Sequence, residues 1–156
     1  MRSLRVWGMR RLYRVAWWGL QLRASVWRRR SSGVKCALTH GGEVLLVCHT
    51  YGRRDTWYLP GGAVRRGEPP LEGAAREMEE ELGLRELQWR EVGTFETRLD
   101  RLAVRLTFVR AELPDPARVR ADPVEIAAVG WFALDALPTP LGSEERALIG
   151  MLSATP

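Results

Sequence analysis

Residues 76–82 read Arg76-Glu77-Met78-Glu79-Glu80-Glu81-Leu82, a run dominated by carboxylates. Successive residues of an α-helix turn by about 100°. With Leu71 at zero, Glu77, Glu80 and Glu81 fall between roughly 180° and 280°, on one face. Glu72 and Glu79 fall near roughly 80° to 100° and read as surface acids. Like charges at this spacing repel by a few tenths of a kcal/mol per pair, even in open solvent. A divalent cation removes that repulsion. Magnesium takes one or two carboxylates, keeps several waters and draws its other oxygens from a phosphate. The spacing therefore points to metal-assisted phosphate chemistry, with a solvated acidic helix face as the competing reading.

The elements that must position these acids are legible on either side. Leu71, Ala74, Ala75, Met78 and Leu82 fall within roughly 60° of one another's mean and predict an apolar stripe. Pro69 and Pro70 suit a first helical turn, where the missing N–H costs nothing. Gly83 stands where a helix end favours a left-handed residue. Pro60, Gly61 and Gly62 stop the preceding strand and allow the backbone to approach a ligand closely.

The segment Gly62-x5-Glu68-x7-Arg76-Glu77-Met78-x-Glu80-Glu81-x-Gly83-Leu84 matches every constrained position of the Nudix box. Residues 34–137 resemble a Nudix domain as a whole, with Trp57-Tyr58-Leu59-Pro60-Gly61-Gly62 as the lead-in. Trp131-Phe132 and Leu134-Asp135-Ala136-Leu137-Pro138 resemble the family's late strand and turn. The resemblance implies an α/β fold, a Nudix-type α/β/α sandwich around a central mixed sheet. It also implies dependence on Mg²⁺ or Mn²⁺, and hydrolysis of a phosphoanhydride in a nucleoside diphosphate linked to another moiety. Carried over residue by residue, it makes Glu77, Glu80 and Glu81 metal-binding glutamates and Gly61 the source of a backbone carbonyl ligand. Arg76 orients the helix carboxylates by charge-assisted hydrogen bonds, and Gly62, Glu68 and Gly83 shape the motif. The general base is left open between Glu80 or Glu77 and a carboxylate from a distant loop, Glu125 first and Glu96 second. The substrate is also open. Leu99-Asp100-Arg101-Leu102 carries neither the proline of some ADP-ribose-specific members nor the tyrosine of dinucleoside polyphosphate enzymes. Trp57, Tyr58 and Phe95 can stack a base, although core packing suits at least two of them better. The alternative function is a catalytically silent nucleotide-binding sensor or adaptor built on the same pocket.

Charge divides the chain. Residues 1–32 hold nine arginines and no acid, +9 against a total of +5, so residues 33–156 carry −4. Leu12, Val15, Ala16, Leu22 and Val26 recur at helical spacing and predict a basic amphipathic helix. The expected organisation is a helical extension and linker over 1–32, ending in Ser31-Ser32-Gly33, and a Nudix domain over 33–156. The longest uncharged run of the extension, Val15 to Leu22, is eight residues, against about 20 needed to span a bilayer. Three readings of the extension are open: packing on the domain or on a second subunit as a homodimer, resting on an anionic membrane surface, and, least weighted, nucleic-acid contact. The expected location is the cytoplasm, peripheral to the membrane under the second reading.

With 156 residues, 46% hydrophobic, a single domain is predicted. Cys36 and Cys48 read as free thiols. A two-residue turn at Gly41-Gly42 would set Cys36 opposite Val47 and Cys48 opposite Lys35, on opposite sheet faces. His40 and His49 are expected to be satisfied or exposed rather than to touch substrate. Val34–His40 and Glu43–His49, apolar on both faces, predict a central hairpin. Glu91–Thr97 and Leu102–Ala111 predict two more strands, the second wet at Arg105 and Thr107. Ile126–Phe132 predicts a further strand. Ser143 is expected to cap a last helix, with Glu144 and Glu145 in its first turn and Ala147, Leu148, Met151 and Leu152 buried.

Overall fold

The runs 36–38 and 44–47 are apolar without alternation, and such strands are stable only when both faces are covered. Val34, Cys36, Ala37, Leu38 and Val44 through Val47 are all at most 1% exposed. The structure is a computed structural model that describes residues 31–53, 55–99 and 102–152. The predicted N-terminal basic helix, with its dimer, membrane and nucleic-acid readings, lies outside the described residues.

Five strands form one mixed sheet: β1 (Ser31–His40), β2 (Glu43–His49), β3 (Arg90–Leu99), β4 (Leu102–Glu112) and β5 (Ile126–Ala133), in the order β3-β4-β1-β2-β5. β1 is parallel to β4; the other neighbours are antiparallel. Helix α1 (Pro70–Leu82) covers one face through Ala74, Met78 and Leu82, packed with Val34, Cys36, Leu45 and Val47. Helix α2 (Glu145–Leu152) covers the other through Leu148, Ile149 and Leu152, packed with Ala37, Leu46, Leu59 and Phe108. The result is the α/β/α sandwich with the expected central mixed sheet.

The β1–β2 hairpin keeps its predicted register at the Gly41-Gly42 turn but does not continue as a ladder. It closes only at Thr39↔Val44 and His40↔Glu43. Beyond that the strands part, and residues 57–64 fill the gap. Val47 exchanges both backbone bonds with Tyr58, each 2.9 Å, while Cys36 donates to the Pro60 carbonyl and Val34 to the Gly62 carbonyl, both 2.9 Å. Cys36 is therefore not opposite Val47, nor Cys48 opposite Lys35. Both thiols are free, and Cys36 packs on the α1 side. Strand alternation turns Cys48 to the other side with Val44 and Leu46.

Other expectations shift in register. Ser31, Ser32 and Gly33 are not a linker; they pair with Val104, Arg105 and Leu106 as the start of β1. The buried face of α1 runs through Gly73, Ala74, Met78, Glu81 and Leu82, leaving Leu71 and Ala75 exposed. The stripe is rotated by roughly 50° toward the acids, because one carboxylate shares the core face. Thr107 is buried rather than wet, its hydroxyl 3.2 Å from that of Thr94 across the β3–β4 ladder, while Arg105 is exposed as predicted. In α2, Ala147 is exposed and Ile149 takes its place; Ser143 lies in the turn before the helix, and Glu145 is buried. Among the described residues no helix is long and apolar enough to cross a membrane.

Candidate active site

The site is assembled by the inserted segment and α1. Gly61 has φ 143, and a Cβ there would stand 3.0 Å from the Val34 carbonyl carbon, so only glycine allows this close passage along β1. Gly62 is bare for a different reason: a Cβ would lie 2.5 Å from Glu77 Cδ. The glycine pair thus brings backbone and carboxylate together without a side chain between them. Helix α1 starts on Pro69-Pro70 and ends at Gly83, φ 65, whose N–H donates to Glu79 O; Leu84 N–H donates to Met78 O, both 3.0 Å. This six-residue closure stops the helix one residue after Glu81-Leu82.

Arg76 organises the acids. Its Nε and Nη2 make a two-pronged pair with Glu68 at 2.8 and 3.0 Å, Nη1 donates to Glu77 at 2.6 Å, and Nη2 also reaches the Ala63 carbonyl at 2.9 Å. Glu80 is only grazed, at 3.4 Å. Glu68 also accepts the Arg65 N–H at 2.6 Å. These hydrogen bonds, Arg76 first, hold its carboxyl down to about 2. The pairing makes Glu68 a structural anchor for the loop; Glu80 is 52% exposed, whereas Glu77, 13% exposed, lies against Gly62.

Glu81 is the unusual member, 2% exposed. Its partner is the Gly61 N–H at 3.3 Å. Burial, reinforced by the charges of Glu77 and Glu125, pushes its carboxyl up to about 8. Burial also raises Glu77, with Glu80 and Glu125 adding to it and Arg76 opposing. Cys36 sits beneath the acids; burial and the charges of Glu81 and Glu77 keep its thiol protonated.

Glu125, distant in sequence, is thus an electrostatic neighbour of both Glu77 and Glu81. The chain between docks on the end of α1: Arg120 N–H donates to Leu82 O and Asp122 N–H to Glu81 O, both 2.8 Å. The Asp122 carboxylate accepts the Val124 N–H at 2.9 Å, and the Glu125 carbonyl accepts Thr50 N–H at 2.8 Å. Glu96 is not drawn in; it pairs with Arg105 at 3.2 Å on β3 and β4. Trp57 packs edge-on against Phe132 at 4.8 Å, and Phe95 joins the same core, which leaves Tyr58 as the half-buried ring nearest the acids' lysine neighbour.

Lys35 was not singled out from sequence. Its ammonium pairs with Glu145 at 2.8 Å, donates to the Leu59 carbonyl at 3.2 Å and lies 5.5 Å from the Tyr58 ring centre. It braces the lead-in to Gly61 from the α2 side. The available signal was its place as the chain's one lysine, inside an apolar strand. His40 is satisfied, with Nδ1 2.8 Å from the Leu113 carbonyl, whereas His49 Nδ1 is buried without a partner among the described residues.

Among the described residues no group of three His, Cys, Asp or Glu side chains is already drawn into a ligand shell. The chemistry of the donors still fits a hard divalent cation. Glu77 lies against Gly62 and Glu81 accepts the Gly61 N–H, Glu80 stands one helical turn after Glu77, and Glu81 has no ion pair among the described residues.

The NUDIX domain family pattern matches residues 28–150. The chain belongs to the Nudix family. The structure of a MutT NUDIX hydrolase from Burkholderia pseudomallei is similar, with TM-score 0.71 and 27% identity over 80% of this chain and 98% of that one. A UDP-X diphosphatase structure is similar at TM-score 0.67 and 26% identity, over 80% of this chain and 62% of that one. A Mycobacterium tuberculosis ADP-ribose pyrophosphatase is 48% identical over 57 residues, 34% of this chain and 27% of that protein. The chain therefore matches about a quarter of the length of that curated relative.

Proposed function

We propose that this protein hydrolyses a phosphoanhydride bond in a nucleoside diphosphate linked to another moiety, with Mg²⁺, or Mn²⁺ in its place. The observation that carries the reading is Glu81: a carboxylate buried against Gly61 with Glu77 and Glu125 as charged neighbours is stable in ionised form only beside a cation. Glu77, Glu80, Glu81 and the Gly61 carbonyl would hold the metal. When bound, it would neutralise diphosphate oxygens and make a water molecule more acidic.

The side chains do the rest. Arg76 fixes Glu77 by its 2.6 Å bond and ties the Glu68 loop to the helix, so the acids are held before substrate arrives. Glu80, 52% exposed, and Glu125 are the acceptors for the proton of the attacking water. Tyr58 offers a ring face to a base or sugar. The ADP-ribose pyrophosphatase and UDP-X diphosphatase among the relatives favour a nucleoside diphosphate bearing a sugar.

The test is a panel of nucleoside diphosphate sugars, nucleoside triphosphates and dinucleotides with Mg²⁺, products identified by mass. Cleavage within the diphosphate, lost in Glu80→Gln and Glu81→Gln, is the expected result. Binding without any product, in Mg²⁺ and in Mn²⁺, would replace the hydrolase with the silent sensor.

A further inference from the structure

Beside the acids lies an open cavity of about 710 Å³ whose walls include Arg65, Arg66 and Arg105, with Glu68, Ser32 and Thr107. Its frame is tied down. Val64 N–H donates to Ser32 O at 2.9 Å, Arg65 N–H to Glu68 Oε2 at 2.6 Å, and Glu68 N–H to Arg65 O at 3.0 Å. The three guanidiniums are always charged. Their compensation is thin. Glu68 spends both carboxylate oxygens on Arg76. Among the described residues Arg65 reaches only Glu80, at 3.4 Å, and Arg105 shares exposed Glu96 at 3.2 Å. Arg66 has no ion pair or side-chain hydrogen bond among the described residues.

We propose that Arg65, Arg66 and Arg105 form an anion subsite that takes a phosphate group of the substrate lying beyond the diphosphate at the carboxylates. The proposal rests on the hydrolase reading and narrows its substrate class. Arg65 joins the two regions: its guanidinium touches Glu80 on one side and lines the cavity on the other. Planar guanidiniums match phosphate oxygens in pairs, which a lone diphosphate held by the acids would leave unused. A substrate with a third phosphate, or with a phosphorylated moiety across the anhydride, fills both.

The test uses the full chain and two exposed variants outside the catalytic set, Arg66→Glu and Arg105→Gln, with unchanged melting temperature as the folding control. Calorimetry with inorganic tripolyphosphate in EDTA reads the subsite without metal or turnover. The arginines of residues 1–32 contribute the same background to every protein. The expected result is about tenfold weaker binding in Arg66→Glu and a smaller loss in Arg105→Gln. With Mg²⁺, Arg66→Glu should raise KM about tenfold for a nucleoside triphosphate at unchanged kcat, and leave a nucleoside diphosphate bearing a neutral sugar within about twofold. Equal tripolyphosphate affinity in wild type and Arg66→Glu, or an equal KM rise for both substrates, overturns the subsite. Charge-sensitive tripolyphosphate binding without turnover of any substrate overturns the hydrolase reading and leaves the subsite standing.

Discussion

The Lys35 ammonium stands 2.8 Å from Glu145 Oε1, joining β1 to α2 through the core, with 20% and 4% of the two side chains exposed. The same ammonium holds the Leu59 carbonyl two residues before Gly61, so the pair connects the C-terminal helix to the glycine segment. Removing one member leaves the other charged and poorly solvated. Glu145→Gln should destabilise the protein by about 2–4 kcal/mol and raise KM, while Lys35→Met combined with Glu145→Leu should recover much of that stability. Urea unfolding of the three proteins measures it; equal stability of the single and double variants would show the pair to be incidental.

The buried Glu81 links metal, pH and stability. Its carboxyl is raised to about 8 from the usual 4.5. Below pH 4.5 folded and unfolded chains both hold the proton. Between 4.5 and 8 the folded chain holds it and the unfolded chain does not, so this contribution is lost as pH rises. Metal replaces the proton, and stabilisation by Mg²⁺ should grow from pH 5 to pH 8. At a hundredfold excess over its Kd the gain is about 2.7 kcal/mol, roughly 5–10 °C in Tm for a chain of this size. Glu81→Gln should lower turnover by about 10² or more yet raise the Tm of the metal-free protein at pH 8. A thermal-shift series with EDTA and Mg²⁺ reads both.

Glu125 and Glu96 were both candidates for the base, and their surroundings separate them. Glu125→Gln is expected to cost about 10²-fold in kcat if it accepts the proton of water. Glu96→Gln, which loses an exposed pair with Arg105, should change kcat less than twofold. Equal effects of the two substitutions in steady-state kinetics would remove Glu125 from the mechanism.

Gly62 is bare because Glu77 needs its space. Gly62→Ala sets a methyl 2.5 Å from Glu77 Cδ, so the carboxylate must move. A displaced ligand should lower kcat/KM by about 10²-fold, with a smaller effect on stability. Wild-type kinetics from this variant would show that the close approach is not required.

His49 lies between Tyr51, stacked at 4.9 Å, and Tyr58 at 5.8 Å, with Nδ1 buried and unpartnered among the described residues. Burial, with Lys35 adding to it, lowers its value from 6.5 to about 4. Between pH 6.5 and 4 the unfolded chain takes a proton that the folded chain refuses. Stability from this group is complete above pH 6.5 and falls by up to about 3 kcal/mol as pH drops to 4. His49→Phe keeps a ring for the stack and should remove that slope; an identical pH dependence of unfolding in the variant would show that His49 does not titrate this way.

Much of helix α1 was legible before folding. Pro69-Pro70, the acid spacing and Gly83 act within a few residues of one another, and local geometry sets the extent of α1 and the placing of Glu77 and Glu80 on one side of it. The two central strands were legible too, because apolar residues on both faces, interrupted in β1 only by Lys35, call for double burial. What the sequence could not determine is where separate segments meet. Residues 57–64 enter between β1 and β2, and this parts Cys36 from Val47 although the turn keeps the predicted register. Glu81 turns from the outer face into the core, where desolvation changes its proton affinity. Glu125 comes within electrostatic reach of Glu77 and Glu81, and Lys35 finds Glu145 across 110 residues. Helical periodicity assigns a face from local turns, whereas burial and charge depend on what the rest of the chain lays against that face. The type of chemistry was therefore written in one short segment, and only the tertiary contacts decided which acid is buried and which residues support it.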